Sequence, residues 1–141
     1  MKIFKTTDRV KVTITSMEKS IDDNGNVLKD ENGDDIEVPV IVTVTLSPLT
    51  YGQRIEILSE KPEKQALLLL KQSIKAISGI EGYDGKPYEL KFENGCLEEN
   101  CASDLANCFL STKFATVLGR VNAHLFDVSD LEGVELEILP N

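Results

Sequence analysis

Val38-Pro39-Val40-Ile41-Val42-Thr43-Val44-Thr45-Leu46-Ser47-Pro48-Leu49-Thr50 is the stretch that decides the fold. Val40, Val42, Val44 and Leu46 alternate with Ile41, Thr43 and Thr45, the two-residue period of a strand with one buried face. β-branched residues dominate it, as a pleated surface favours. Pro39 cannot donate a ladder hydrogen bond, so it marks a strand start, a bulge or an edge. Pro48 biases Ser47 towards extended geometry and ends the strand. Thr50 is then placed to cap a helix, with Gln53 three residues on to complete a capping box.

Working upstream, Lys2 to Ser16 reads as a second strand, in which Val10, Val12 and Ile14 alternate with Lys11, Thr13 and Thr15. Between the two strands lie Asn24-Gly25 and Asn32-Gly33, each a strong two-residue hairpin signal because both residues accept positive φ. Val27-Leu28 between them reads as a short extra strand. Residues 8–46 are therefore expected to form a β-hairpin with an acidic, mobile tip. Residues 18–37 hold eight acidic and two basic side chains and carry −6 of the chain's formal net charge of −9.

Downstream, a short helix is predicted over Tyr51 to Leu58. Pro62 suits the first turn of the next helix, which is expected to run to about Ile77 and stop at Gly79. Leu67, Leu70, Ile74 and Ile77 share one face of it, and Leu68 and Leu69 widen the apolar arc. Ile80 to Phe92 reads as a second hairpin turning at Asp84-Gly85 and closed by Asn94-Gly95. A helix from near Glu98 carries Leu97, Cys101, Leu105, Cys108 and Phe109 on one face. Ser111 is expected to cap a last helix bearing Phe114, Val117, Leu118, Val121 and Leu125. Val134 to Leu139 alternates again and is expected to return as an edge strand. No long internal repeat is evident.

These elements define an α+β fold: an antiparallel β-sheet with a long acidic hairpin, packed on three to four helices. A chain of 141 residues is expected to be one domain, mainly β over 1–49 and mainly helical over 50–141, with a small hairpin near 80–92. At this size about 68–70% of the unfolded surface leaves water on folding, enough for a core without staples. No apolar run approaches the ~20 residues that span a bilayer, and the N-terminus lacks the apolar segment of a secretory signal. Both point to the cytoplasm. Three cysteines there are expected to be free thiols.

Chemistry is sparse. A net charge of −9 opposes binding to a phosphate backbone, and the basic residues do not cluster, so no nucleic-acid partner is expected. Asp22 and Asp30 open two acidic loops, but position 6 from each is Val27 or Asp35 and position 12 is Gly33 or Ile41. The glycine and bidentate glutamate of an EF-hand are missing, so Asp22, Asp23, Asp30, Glu31, Asp34 and Asp35 read as a solvated acidic arm. Cys96, Cys101, Cys108 and His124 have no zinc-finger or ribbon spacing; Cys101 and Cys108 fit the apolar side of a helix as small hydrophobes. No phosphate-binding glycine loop occurs. Neither metal nor cofactor is expected, and no catalytic residue stands out; Cys96 or Cys101 with His124 makes a nucleophile–base pair only by residue type. The functional candidate is the apolar helix. Leu67, Leu68, Leu69, Leu70 and Ile74 are expected to present a partner-binding surface, against the alternative that the helix is buried on both sides.

Two segments carry a family resemblance: Met1-Lys2-Ile3-Phe4-Lys5-Thr6-Thr7-Asp8-Arg9-Val10-Lys11-Val12, and Thr45-Leu46-Ser47-Pro48-Leu49-Thr50-Tyr51-Gly52-Gln53 at the strand-to-helix entry. With the element order around them, they resemble the tail assembly chaperones of long-tailed bacteriophages. The resemblance implies a non-enzymatic morphogenesis protein of the host cytoplasm that binds tape-measure and tail-tube proteins, and it leaves homo-oligomers open. It brings no catalytic residues. The alternative is a structural virion component, a neck, connector or tail-completion protein, whose arm orders against a neighbouring subunit. A small enzyme using Cys96 or His124 ranks below these, and an acidic inhibitor of a host factor last.

Overall fold

The computed structural model describes residues 8–82, 84–108 and 112–139. The expected strand start before Asp8, the cap at Ser111, and the side chains of Cys108 and Phe109 lie outside the described residues. Strands β1 (Arg9–Lys19), β2 (Glu37–Leu46), β3 (Ile74–Ser78) and β6 (Val134–Leu139) form one antiparallel sheet in the order β3-β2-β1-β6. A small hairpin, β4 (Phe92–Glu93) and β5 (Cys96–Leu97), stands apart. Helices α1 (Tyr51–Leu58), α2 (Pro62–Ser73), α3 (Glu99–Cys108) and α4 (Thr112–Asn122) complete an α+β fold.

The alternation read from the sequence sets the buried side of the sheet. Val10, Val12 and Ile14 pair with Leu46, Val44 and Val42 on one side and with Ile138, Leu136 and Val134 on the other. Against this face pack Leu70, Leu97, Cys101, Leu105, Phe114, Val117 and Val121. The opposite face carries Lys11, Thr13, Thr43, Thr45, Glu135 and Glu137. One apolar and one polar face is the usual pattern for an antiparallel sheet covered on one side.

Thr50 caps α1 as the sequence predicts. Its hydroxyl accepts from the Gln53 amide at 3.1 Å, and the Gln53 side chain accepts from the Thr50 amide at 2.9 Å. The stop of α2 differs from the expectation. The helix ends at Ser73, and Ile74 to Ser78 is the edge strand β3. The ladder with β2 shifts register between Thr45 and Leu46, where Leu46 faces Ile74 and Val44 faces Ile77. That bulge puts residues three apart on the same face, which imitates a helical period in the sequence.

Buried Asn122, the last residue of α4, joins three elements. Its Oδ1 accepts from the Leu49 amide and the Ser73 hydroxyl, both at 3.3 Å, and its Nδ2 donates to the Leu118 carbonyl at 2.9 Å. The Ser47 amide bonds the Ser73 carbonyl at 2.7 Å. The Ser47–Thr50 link is thereby fixed to the ends of α2 and α4. Past Asn122, His124 takes a left-handed conformation (φ 58°). The Leu125 amide reaches back to the Arg120 carbonyl and the His124 amide to that of Val121, which is a Schellman stop. Leu125 therefore lies beyond the helix and is exposed, not on its apolar face.

Candidate functional site

The β1–β2 ladder runs past both of its neighbours. β6 leaves β1 after Ile14, and β3 leaves β2 at Thr43, so among the described residues the ribbon continues alone to Lys19 and Glu37. At its end the chain makes a three-way junction. The Ser20 amide donates to the Ile36 carbonyl, Ile36 to Leu28, and Leu28 to Ser20, at 2.8, 3.0 and 2.9 Å. Residues eight apart close the ring, and a short hairpin grows from each of the two gaps.

Both short hairpins share one design. Asp22 and Asp30 each accept two backbone N–H groups on Oδ1, from Asn24 and Asn26 and from Asn32 and Asp34. The Gly25 and Gly33 amides bond back to the Asp22 and Asp30 carbonyls, with φ of 82° and 83°. These are three-residue loops with a glycine bulge, not the two-residue Asn-Gly turns expected. Asn94-Gly95 does form the two-residue turn, with both φ positive. An aspartate two residues before the asparagine separates the two outcomes.

The arm's acids divide accordingly. Asp22 and Asp30 hold turns, while Asp35 pairs with Lys19 at 2.9 Å and with Lys29, contacts that hold its carboxyl below the usual range. Asp23, Glu31 and Asp34 are exposed side chains. Met17, Ile21, Leu28, Ile36, Val38 and Ile41 are exposed on the same arm, so its surface is apolar as well as acidic.

A second apolar surface lies beyond the other end of β2. α1 exposes Tyr51, Ile55 and Leu58 by 78%, 49% and 66%, at the 4 and 3 spacing of a single helix stripe. Leu58 opens onto a groove of about 480 Å³ between α1, α2 and α4. Its walls include two small-residue pairs at helical spacing, Pro62 with Ala66 and Gly119 with Ala123. Arg54 is the charged side chain in its lining among the described residues.

The five residues expected on the partner-binding face separate. Leu70 and Ile74 are fully buried in the chain's own core, and Ile74 sits on a strand; neither has surface to offer a partner. Leu67 and Leu69 are half-buried against that core, and Leu69 also lines the groove. Leu68 lines a separate, more polar depression with Glu56, Lys71, Gln72 and Cys96. Sequence reading missed the α1 stripe and the small-residue pairs. The 51-55-58 spacing was visible, but its exposure was not.

The thiols and the imidazole occupy three different elements. Cys96 is half-buried on β5, Cys101 is buried on α3, and His124 follows α4. The Tyr88 hydroxyl donates to Asp104 Oδ2 at 3.0 Å. Burial, together with Cys101 and Asp104 beside it, pushes the Tyr88 hydroxyl above the usual phenol range. Among the described residues no three metal-ligating side chains converge, and no helix is long and apolar enough to cross a membrane. No protein-family model, curated protein or solved structure matches the chain.

Proposed function

We propose that the protein is a non-enzymatic assembly factor that receives an apolar helix of a partner in the α1–α2–α4 groove, and that it acts as a bacteriophage tail assembly chaperone for tape-measure and tail-tube proteins. The groove with its exposed α1 stripe is the observation that carries this reading. Fully burying an exposed leucine-sized side chain is worth roughly 1.5–3 kcal/mol. Leu58 in the groove lining and Tyr51 and Ile55 farther along the exposed α1 stripe supply the apolar side chains for such a contact. Small side chains in the groove walls admit a helix closely, in the helix-in-groove mode. The acidic arm keeps a loaded complex soluble.

Co-expression tests it. The wild-type chain raises the soluble yield of a phage tape-measure protein, and Leu58→Asp or Ala66→Asp, both at exposed sites, abolishes the gain. An unchanged yield with the wild type, or equal yields with the variants, overturns the reading. The ordered hydrogen bonding of the arm favours a second reading, a structural virion component whose arm contacts a neighbouring subunit. Stoichiometric presence of the chain in purified particles by mass spectrometry selects it over the chaperone.

A further inference from the structure

The arm and the groove are chemically complementary and belong to opposite ends of one strand. The arm leaves the N-terminal end of β2, and Leu49 of the groove follows its C-terminal end. Ten residues of strand at about 3.4 Å each separate them by roughly 30 Å, so an arm does not fold back into its own groove. We propose that the arm of one copy docks in the α1–α2–α4 groove of a second copy, joining copies head to tail.

The groove calls for an apolar occupant that brings a carboxylate, since its described lining is apolar and small apart from Arg54, Gln65 and Asn122. The arm is such an occupant. Its junction exposes Leu28 and Ile36, with Ile21 next to Ser20, and the two hairpin loops beyond it carry the exposed side chains of Asp23 and Glu31. The symmetric alternatives are disfavoured by charge. Arm against arm sets −6 against −6, and groove against groove brings two Arg54 side chains together, each a like-charge contact that discriminates against that pairing. A heterologous contact of this kind closes into a ring or continues as a filament. It shares the groove with the proposed chaperone site but needs no phage partner.

Sedimentation velocity on the purified chain tests it. The wild type associates beyond the monomer as concentration rises. An arm variant, Ile21→Ser with Ile36→Ser, and a groove variant, Leu58→Asp, each sediment as monomers with unchanged circular dichroism. Mixing the two variants restores a dimer and nothing larger, because one intact arm meets one intact groove. Arg54→Glu also abolishes association, and adding Asp23→Lys and Glu31→Lys to it recovers association. A wild type that stays monomeric at every concentration, variants that still associate, or a mixture that stays monomeric overturns the proposal. Because no second protein is present, a negative result leaves the co-expression outcome standing on its own.

Discussion

Gly79 and Gly133 flank a single rung of the sheet from opposite edges. Thr15 and Ile41 are cross-strand partners; Gly79 lies against the Ile41 carbonyl and Gly133 against that of Thr15, whose amide donates to the Gly133 carbonyl at 2.7 Å. Both glycines have positive φ, 90° and 75°. At this rung the four-stranded sheet becomes a two-stranded arm. A methyl group at either position would collide with a carbonyl oxygen of the neighbouring strand and strain the backbone as well. Gly79→Ala and Gly133→Ala should each cost at least ~2 kcal/mol, read as a lowered urea midpoint.

Gly119 should behave oppositely. It lies inside α4, where an added Cβ meets nothing within 4 Å. Replacing a mid-helix glycine by alanine gains about 0.8–1 kcal/mol of helix propensity. Gly119→Ala should raise the urea midpoint. It should also weaken whatever occupies the groove, because the new methyl narrows a wall.

Asn122→Leu should be among the more costly single changes. It leaves the Leu49 amide and the Ser73 hydroxyl without their buried acceptor. Each orphaned polar group costs about 1–3 kcal/mol, so a loss on the order of 3 kcal/mol is expected from denaturant melts. Adding Ser73→Ala should recover part of it, since one of the orphans is then removed.

Acid should weaken the fold through a few carboxylates. The bidentate hydrogen bonds from Arg120, at 2.6 and 2.8 Å, hold the Asp130 carboxyl down at about 2. Hydrogen bonds from Ser129 lower Asp127, and those from Lys29 and Lys19 lower Asp35. Folded values below the unfolded 3.8 mean that the folded state binds protons less readily. The stabilisation from Asp130 is therefore complete above about pH 4 and is lost as pH falls towards 2. Asp130→Asn should lower stability at pH 7, and the gap from wild type should close across that window in a pH series of urea melts.

Much of the fold could be read from local signals. The β1, β2 and β6 alternations, the Thr50–Gln53 box and Pro62 at a first turn each depend on neighbours in sequence, and each appears in the structure. The misread elements depend on distant partners. Ile74 and Ile77 fit a helix or a bulged strand equally well until β2 is beside them. The Asn-Gly turns differ by the carboxylates of Asp22 and Asp30, which reach backbone groups two and four residues on. The groove was less legible because three separate helices build it, and no stretch of sequence reports which side of α1 lacks cover.

The clasp at Thr15–Ile41 also bears on how such a chain can change over generations. Among the described residues, the backbone hydrogen bonds distal to it stay within that segment, and none of its side chains belongs to the core. Selection can therefore rewrite, lengthen or trim that outlying segment while the remainder keeps folding, which uncouples the drift of binding preference from the maintenance of the body.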